Sequence, residues 1–289
     1  MICLTPDLQK RVEDFLSQAD NRGHVDRGSH LANPLSYVTQ NLQYAMETIE
    51  RAGRDTPEMP HPKTILDLGC SNGFKVVALK RQYPDAHVYG IDPENDAVNM
   101  AQSLVNAEGL ANITLQCGVG ESLPYPDESF DLITCHTVIE HVYDVEKVVL
   151  EIGRVLKKGG VLHLDAPNYL WPYEPHLRIY CIPLLGKRLM KFFAHIQGQG
   201  HNVDFMDHLQ LIEPFRVNRA IRYAGLRSHN LLSDYVDEIV SGRKTAKRFK
   251  RIGKAMTLLQ RTRLHRPLVR FMVTTGLYPM MLMKVVKPA

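Results

Sequence analysis

No stretch of the 289-residue chain holds about 18 consecutive apolar residues, the minimum for a helix that spans a bilayer. Cysteine is sparse. The five present, Cys3, Cys70, Cys117, Cys135 and Cys181, are widely spaced and form no C-x-x-C pair, which excludes a disulfide framework and a zinc knuckle. The first residues lack the cationic start and apolar run of an export signal, and Asp7, Glu13 and Asp14 stand there instead. A net charge of +4 is too weak to imply nucleic-acid binding. These absences lead to the expectation of a cytoplasmic protein, soluble or peripheral at the inner membrane surface. A 44% hydrophobic and 23% charged composition excludes collagen and low-complexity disorder, and no internal repeat is found.

The helical spacing of Leu42, Ala45, Met46 and Ile49 predicts a helical N-terminal cap over residues 1–60, closed by the breaker-rich stretch Thr56 to Pro62. Short β-branched runs then alternate with helical periods: strands over 64–68, 87–92, 113–117, 130–135 and 161–166, and helices over 74–81, 96–108 and 144–156. That rhythm predicts a doubly wound parallel α/β sheet of five βα units, with the core over 61–166. The aromatic and Pro-rich stretch 167–212 reads as an insertion over the substrate. A core helix and sixth strand follow over 213–232, a basic helical insertion over 233–277, and a closing strand over 278–289. Eleven Lys and Arg and no Asp or Glu fall between 241 and 277, so the remainder of the chain is net negative.

The strongest chemical signal is Ile65-Leu66-Asp67-Leu68-Gly69-Cys70-Ser71-Asn72-Gly73-Phe74, a buried strand entering a glycine turn that opens a helix. Gly69 and Gly73 would let a ligand approach the backbone. Asp92 ends the second strand, where a carboxylate accepts from the hydroxyls of an adenosine ribose. Asp67 decides between cofactors. A carboxylate at the end of the first strand repels the pyrophosphate of a dinucleotide, but favours the ammonium and sulfonium of S-adenosylmethionine. A nicotinamide oxidoreductase is disfavoured on that ground.

With these residues, the chain resembles the class I S-adenosylmethionine-dependent methyltransferases, in particular the group with a methyltransferase type 11 core. The likeness covers about 63–166. It includes Cys117-Gly118-Val119-Gly120-Glu121, Asp127-Glu128-Ser129-Phe130-Asp131, Ile139-Glu140-His141-Val142 and the turn Arg154 to Gly160. The resemblance implies a Rossmann-like seven-stranded sheet with strand seven antiparallel. It also implies cofactor contacts from Asp67, Gly69, Cys70, Gly73, Asp92, Pro93, Val119, Gly120, Glu121 and His136. Two positions depart from the family pattern: Ser71 replaces a glycine of the first turn, and Val119 replaces the Asp that accepts from the adenine amino group.

Methyl transfer needs an aligned nucleophile and often a base. Candidates follow the fourth and fifth strands: His136 and His141, then Asn168, Tyr169, Trp171, Tyr173, Glu174 and His176. Of these, His136, Glu174 and His176 are expected to be catalytic. The stretch Pro167 to His176 resembles one found in relatives that modify sugars or lipid-linked glycans. His201, Asp204, Asp207 and His208 have a metal-like composition, but no metal is expected. The acceptor is expected to be a small molecule, sugar or lipid-linked compound that is methylated on oxygen. The alternative is a non-catalytic cofactor-binding or partner-activating module. Phe249, Ile252, Met256 and Leu259, with Lys247, Lys250, Arg251 and Lys254, suggest a basic amphipathic helix. Together with Ile179, Ile182, Leu184, Leu185, Phe192 and Phe193, it points to contact with an anionic membrane.

Overall fold

The computed structural model describes residues 4–21, 33–240, 262 and 265–289. The chain begins with helices α1 (Pro6–Asn21) and α2 (Pro34–Asp55). Helix α2 starts where Asn33 caps it, accepting from Leu35 N, and Pro34 supplies a preset first turn. Its stripe Leu42, Ala45 and Ile49 is buried, whereas Met46 is exposed. There follow β1 (Thr64–Leu68), α3 (Phe74–Gln82), β2 (His87–Asp92), α4 (Asn95–Ala107), β3 (Ile113–Cys117), β4 (Phe130–His136), α5 (Val145–Val155) and β5 (Leu156–Pro167). The expected five βα units are not all present, because β3 passes to β4 without a helix. The intervening loop is held by Arg154, which donates to the carbonyls of Leu123 and Tyr125 and to Glu151 and Asp127.

Past β5 lie a small hairpin, β6 (Tyr173–Glu174) and β7 (Ile179–Tyr180), helix α6 (Gly186–Ile196) and a 3-10 segment (Gly200–Asp207). Helix α7 (Pro214–Tyr223), β8 (Arg227–Asn230), α8 (Leu232–Val240), α9 (His265–Thr275) and β9 (Met280–Val286) complete the order. The proposed basic helix around Lys247 to Leu259 lies outside the described residues.

The seven-stranded sheet runs β3-β2-β1-β4-β5-β9-β8. Strands β1 to β5 are parallel, and β9 enters antiparallel between β5 and β8. This is the sheet expected from the sequence, with the closing strand reversed. The residues Lys157 to Gly160 form an excursion within β5, so that Phe130 pairs with Leu156 and Leu132 with Val161. Because side chains alternate across each strand, two cores form. Ile65, Val88, Leu132 and Val161 pack under α1 to α4, and Leu66, Ile133, Leu162 and Met283 pack under α5 and α7. The order reverses beside β1, which places a crevice outside the carboxyl ends of β1, β2 and β4.

Candidate active site

The first wall of the crevice is the turn after β1. Gly69 and Gly73 take positive φ of 73° and 81°, and Ser71 does so at 45° without being glycine. Ser71 N donates to Asp92 Oδ2 at 2.9 Å and Glu94 N to Oδ1 at 3.0 Å, so both oxygens at the end of β2 are pinned by backbone. Each oxygen keeps a second lone pair for a ribose hydroxyl. The glycines have a reason other than ligand approach: a Cβ at Gly69 would lie 2.3 Å from Val138 Cγ2, and one at Gly73 would lie 2.6 Å from the Ala101 Cβ on α4. The protein's own packing therefore already excludes side chains there. Cys70 is buried, and burial pushes its thiol pKa far up, so it is an apolar wall. Asn72 donates to Tyr37 OH at 3.1 Å and ties the turn to α2.

Asp67 is fully buried. Its Oδ1 accepts from Thr134 Oγ1 at 2.7 Å, and Oδ2 has no hydrogen-bond partner among the described residues. Burial pushes its pKa up to about 6, against the pull of Lys75. Lys75, in the first turn of α3, donates to the His136 carbonyl at 3.0 Å. The sequence reading missed this cation, although its place just after Phe74 at the opening of the helix was the available signal. It adds a group suited to a ligand carboxylate beside Asp67 and Asp92, which suit ligand cations and hydroxyls.

Beyond β3, Pro93 and Val119 are exposed and Gly120 is buried against Val148. Glu121 Oε1 accepts from Tyr143 N and Asp144 N, so its carboxylate anchors the loop before α5.

His136, at the end of β4, belongs to a separate network. Asp55 accepts from His163 Nε2 at 3.0 Å, so His163 Nδ1 is an acceptor and takes the Nε2–H of His136 at 2.7 Å. The chain leaves a lone pair on His136 Nδ1, buried and without a partner among the described residues. Burial, then the neighbouring His163, hold this ring well below the ordinary histidine pKa.

The other candidates meet past β5. Glu174, fully buried, accepts from His176 Nδ1 at 2.6 Å, from Leu177 N and from Tyr169 OH. Burial opposes charge on His176, but the bond and the charge of Glu174 outweigh it and raise the ring's pKa. His141 and Glu140 lie beside this pair, with the His141 and His176 rings 5.3 Å apart and edge-on. Burial lowers His141 to about 4 and raises Glu140 to about 7. Asn168 is spent on structure: it donates to the carbonyls of Gly276 and Tyr278 and holds the entry to β9. Of the metal-like grouping His201, Asp204, Asp207 and His208, the side chain of His201 lies outside the described ones, and Asp207 accepts from Lys191 Nζ at 2.7 Å.

A family described as "Methyltransferase domain" matches residues 66–164. The uncharacterized methyltransferase YcgJ of Bacillus subtilis is 37% identical over 136 residues, which is 45% of this chain and 53% of that protein. The demethylmenaquinone methyltransferase of Geobacillus kaustophilus is 31% identical over 162 residues, 53% of this chain and 69% of that protein. The chain belongs to the class I S-adenosylmethionine-dependent methyltransferases.

The match spans about half the length of YcgJ. The crystal structure of YcgJ shares the fold of this methyltransferase, with a TM-score of 0.52 at 20% identity over 86% of this chain and 99% of that one. So does phosphoethanolamine N-methyltransferase 2 of Haemonchus contortus in complex with S-adenosyl-L-methionine, at 0.52 and 16% identity over 87% and 53%. The methyltransferase crevice fits S-adenosylmethionine: Asp67 keeps an orphaned buried oxygen for cationic groups, and Asp92 is preset by two backbone donors. Asp131 of the family stretch serves the frame, accepting from Lys63 N, Thr64 N and Lys157 Nζ.

Proposed function

We propose that this methyltransferase carries a methyl group from S-adenosylmethionine to an oxygen of a small-molecule, sugar or lipid-linked acceptor, held between the ends of β4 and β5 and the segment 167–212. When bound, the cofactor supplies an electrophilic methyl on a sulfonium sulfur. Asp67, Gly69, Cys70, Gly73, Asp92, Gly120 and the backbone near Pro93 and Val119 line its place, and Lys75 meets its carboxylate.

The observation that carries the reading is the Glu174–His176 pair. A carboxylate only accepts, so Nδ1 of His176 donates to Glu174 and Nε2 is left as the lone-pair nitrogen. A ring oriented by a buried carboxylate, with its side chain 22% exposed, has the arrangement of a general base for a hydroxyl proton. His136 is a weaker base, because its enclosure disfavours the protonated ring.

A lipid-linked acceptor at an anionic, cytoplasmic-facing membrane surface is supported by Ile182, Leu184, Leu185, Phe192 and Ile196. All are exposed, on or next to α6, with Lys187 and Arg188 on the same helix. Ile179 takes no part, being fully buried, and Phe193 packs on the core. Among the described residues no helix is long and apolar enough to cross a membrane.

The test is transfer from a radiolabelled methyl donor to hydroxylated acceptors, free in water or displayed in anionic and neutral vesicles. Glu174→Gln and His176→Gln should each lower turnover by about 100-fold or more, with cofactor affinity unchanged. Full turnover in both variants would overturn the assigned base. Cofactor binding without transfer to any acceptor would favour the non-catalytic module.

A further inference from the structure

Glu140 is 0% exposed, and neither of its carboxylate oxygens has a hydrogen-bond partner among the described residues. A buried carboxylate without donors is costly, and proteins resolve such groups with a partner, a water or an ion. What faces Glu140 is a pair of imidazoles. His176 Nε2 lies 3.8 Å and His141 Nε2 3.9 Å from Oε1, too far for hydrogen bonds, and the three donor atoms lie within 4.8 Å of one another.

From this arrangement we infer that Glu140, His141 and His176 form a binding site for one divalent transition-metal ion of the zinc class. Zinc bonds of about 2.0–2.2 Å in a tetrahedron set donors roughly 3.4 Å apart, so the observed spacing closes on an ion through small side-chain rotations. Glu174 completes the pattern from outside. Its carboxylate on His176 Nδ1, at 2.6 Å, fixes the tautomer that offers Nε2 to a metal. The Phe205 ring packs 5.2 Å from His176 and 5.6 Å from His141, which orients both imidazoles.

Two imidazoles and one carboxylate suit zinc, cobalt, manganese or iron(II) better than magnesium or calcium. Three protein ligands leave a coordination position open. Access is available, since the side chain of His141 is 36% and that of His176 22% exposed. The site goes beyond the proposed methyl transfer and does not rest on it. An ion on His176 Nε2 would occupy the lone pair that the base role uses, so metal binding and base catalysis at His176 exclude each other.

The test uses the full chain, stripped with chelator, and titrated with zinc chloride by calorimetry and with cobalt chloride by visible absorption. Saturation at one equivalent is expected, with a cobalt d–d band from nitrogen and oxygen ligands. Glu140→Gln, His141→Gln and His176→Gln should each weaken zinc binding by more than about 100-fold, and Glu174→Gln by about 10- to 100-fold. A cooperative thermal melt verifies the fold of each variant, and the surface position of His141 keeps the test decisive should Glu140→Gln unfold. No uptake by the wild-type chain, or uptake unchanged in His141→Gln and His176→Gln, would overturn the inference. Failure of the methyltransferase reading would show separately, as absent cofactor binding or turnover.

Discussion

Asp67 carries the cofactor argument at the scale of single residues, and it also makes that argument testable by pH. Its folded pKa of about 6 lies above the unfolded value near 3.8, because burial disfavours the anion. Without cofactor, this group's contribution to stability is therefore highest below pH 3.8 and is lost as pH rises to about 6. The loss is on the order of 2–3 kcal/mol. Asp67→Asn keeps an acceptor for Thr134 and removes the buried charge, so the cofactor-free protein should gain on the order of 1–3 kcal/mol in urea unfolding at pH 7.5. Cationic groups of the cofactor favour the anion. Wild-type affinity should accordingly fall as pH drops below about 6, by at most about tenfold per unit, while Asp67→Asn stays flat. Parallel pH profiles for the two proteins would show that Asp67 does not face the cofactor's charge. Asp67, Gly69 and Asp92 were legible in the sequence because each acts where a strand meets a turn, and strand ends can be read from local pattern. The Glu140, His141, His176 and Glu174 cluster was only half legible. Its members come from two segments, and their approach depends on how residues 167–212 fold back, which no local period encodes.

Elements were readable where one periodicity dominated. The bounds of β1, β2 and β3 agree with the β-branched runs in the sequence, and α7 begins at Pro214, where Glu213 caps it. Between β3 and β4, where the sequence offered no helical period, Pro124, Pro126 and the bonds of Arg154 hold a loop. The β1 turn shows how one element limits another. Gly69 is required by Val138, on the loop after β4, as well as by its own positive φ. Gly69→Ala should therefore destabilise the protein by roughly 2–4 kcal/mol through strain and overpacking. Adding Val138→Ala should recover part of that loss in the same urea titration, since it removes both methyl groups nearest the new Cβ. No recovery in the double variant would assign the whole effect to backbone strain and remove the contact from the account.

At the scale of the molecule, the sheet brings into one crevice groups that lie far apart in the chain. On the proposed reading, the β1 turn, Asp92, the loop after β3 and the end of β4 line the cofactor side. On the same reading, residues 167–212, with their buried Glu174 and exposed apolar face on α6, cover the acceptor side. The seven-stranded sheet with β9 reversed could be anticipated from the resemblance to the methyltransferase family, because a strand's own apolar run encodes neither its direction nor its neighbours. The acceptor could not be, because no local pattern in 167–212 encodes what that segment covers. An acidic, phosphate-excluding edge is the feature by which the crevice is proposed to hold S-adenosylmethionine. Calorimetric titration of the wild-type chain and of Asp92→Asn with S-adenosylmethionine, and with NADH in parallel, tests it most directly. Asn keeps one acceptor, for Glu94 N, and loses both the charge and the acceptor for Ser71 N. The expected result is one S-adenosylmethionine per wild-type chain, binding weakened by about 10- to 150-fold in Asp92→Asn, corresponding to roughly 1.5–3 kcal/mol, and no heat from NADH. Equal affinity in the two proteins, or tighter binding of NADH than of S-adenosylmethionine, would contradict it.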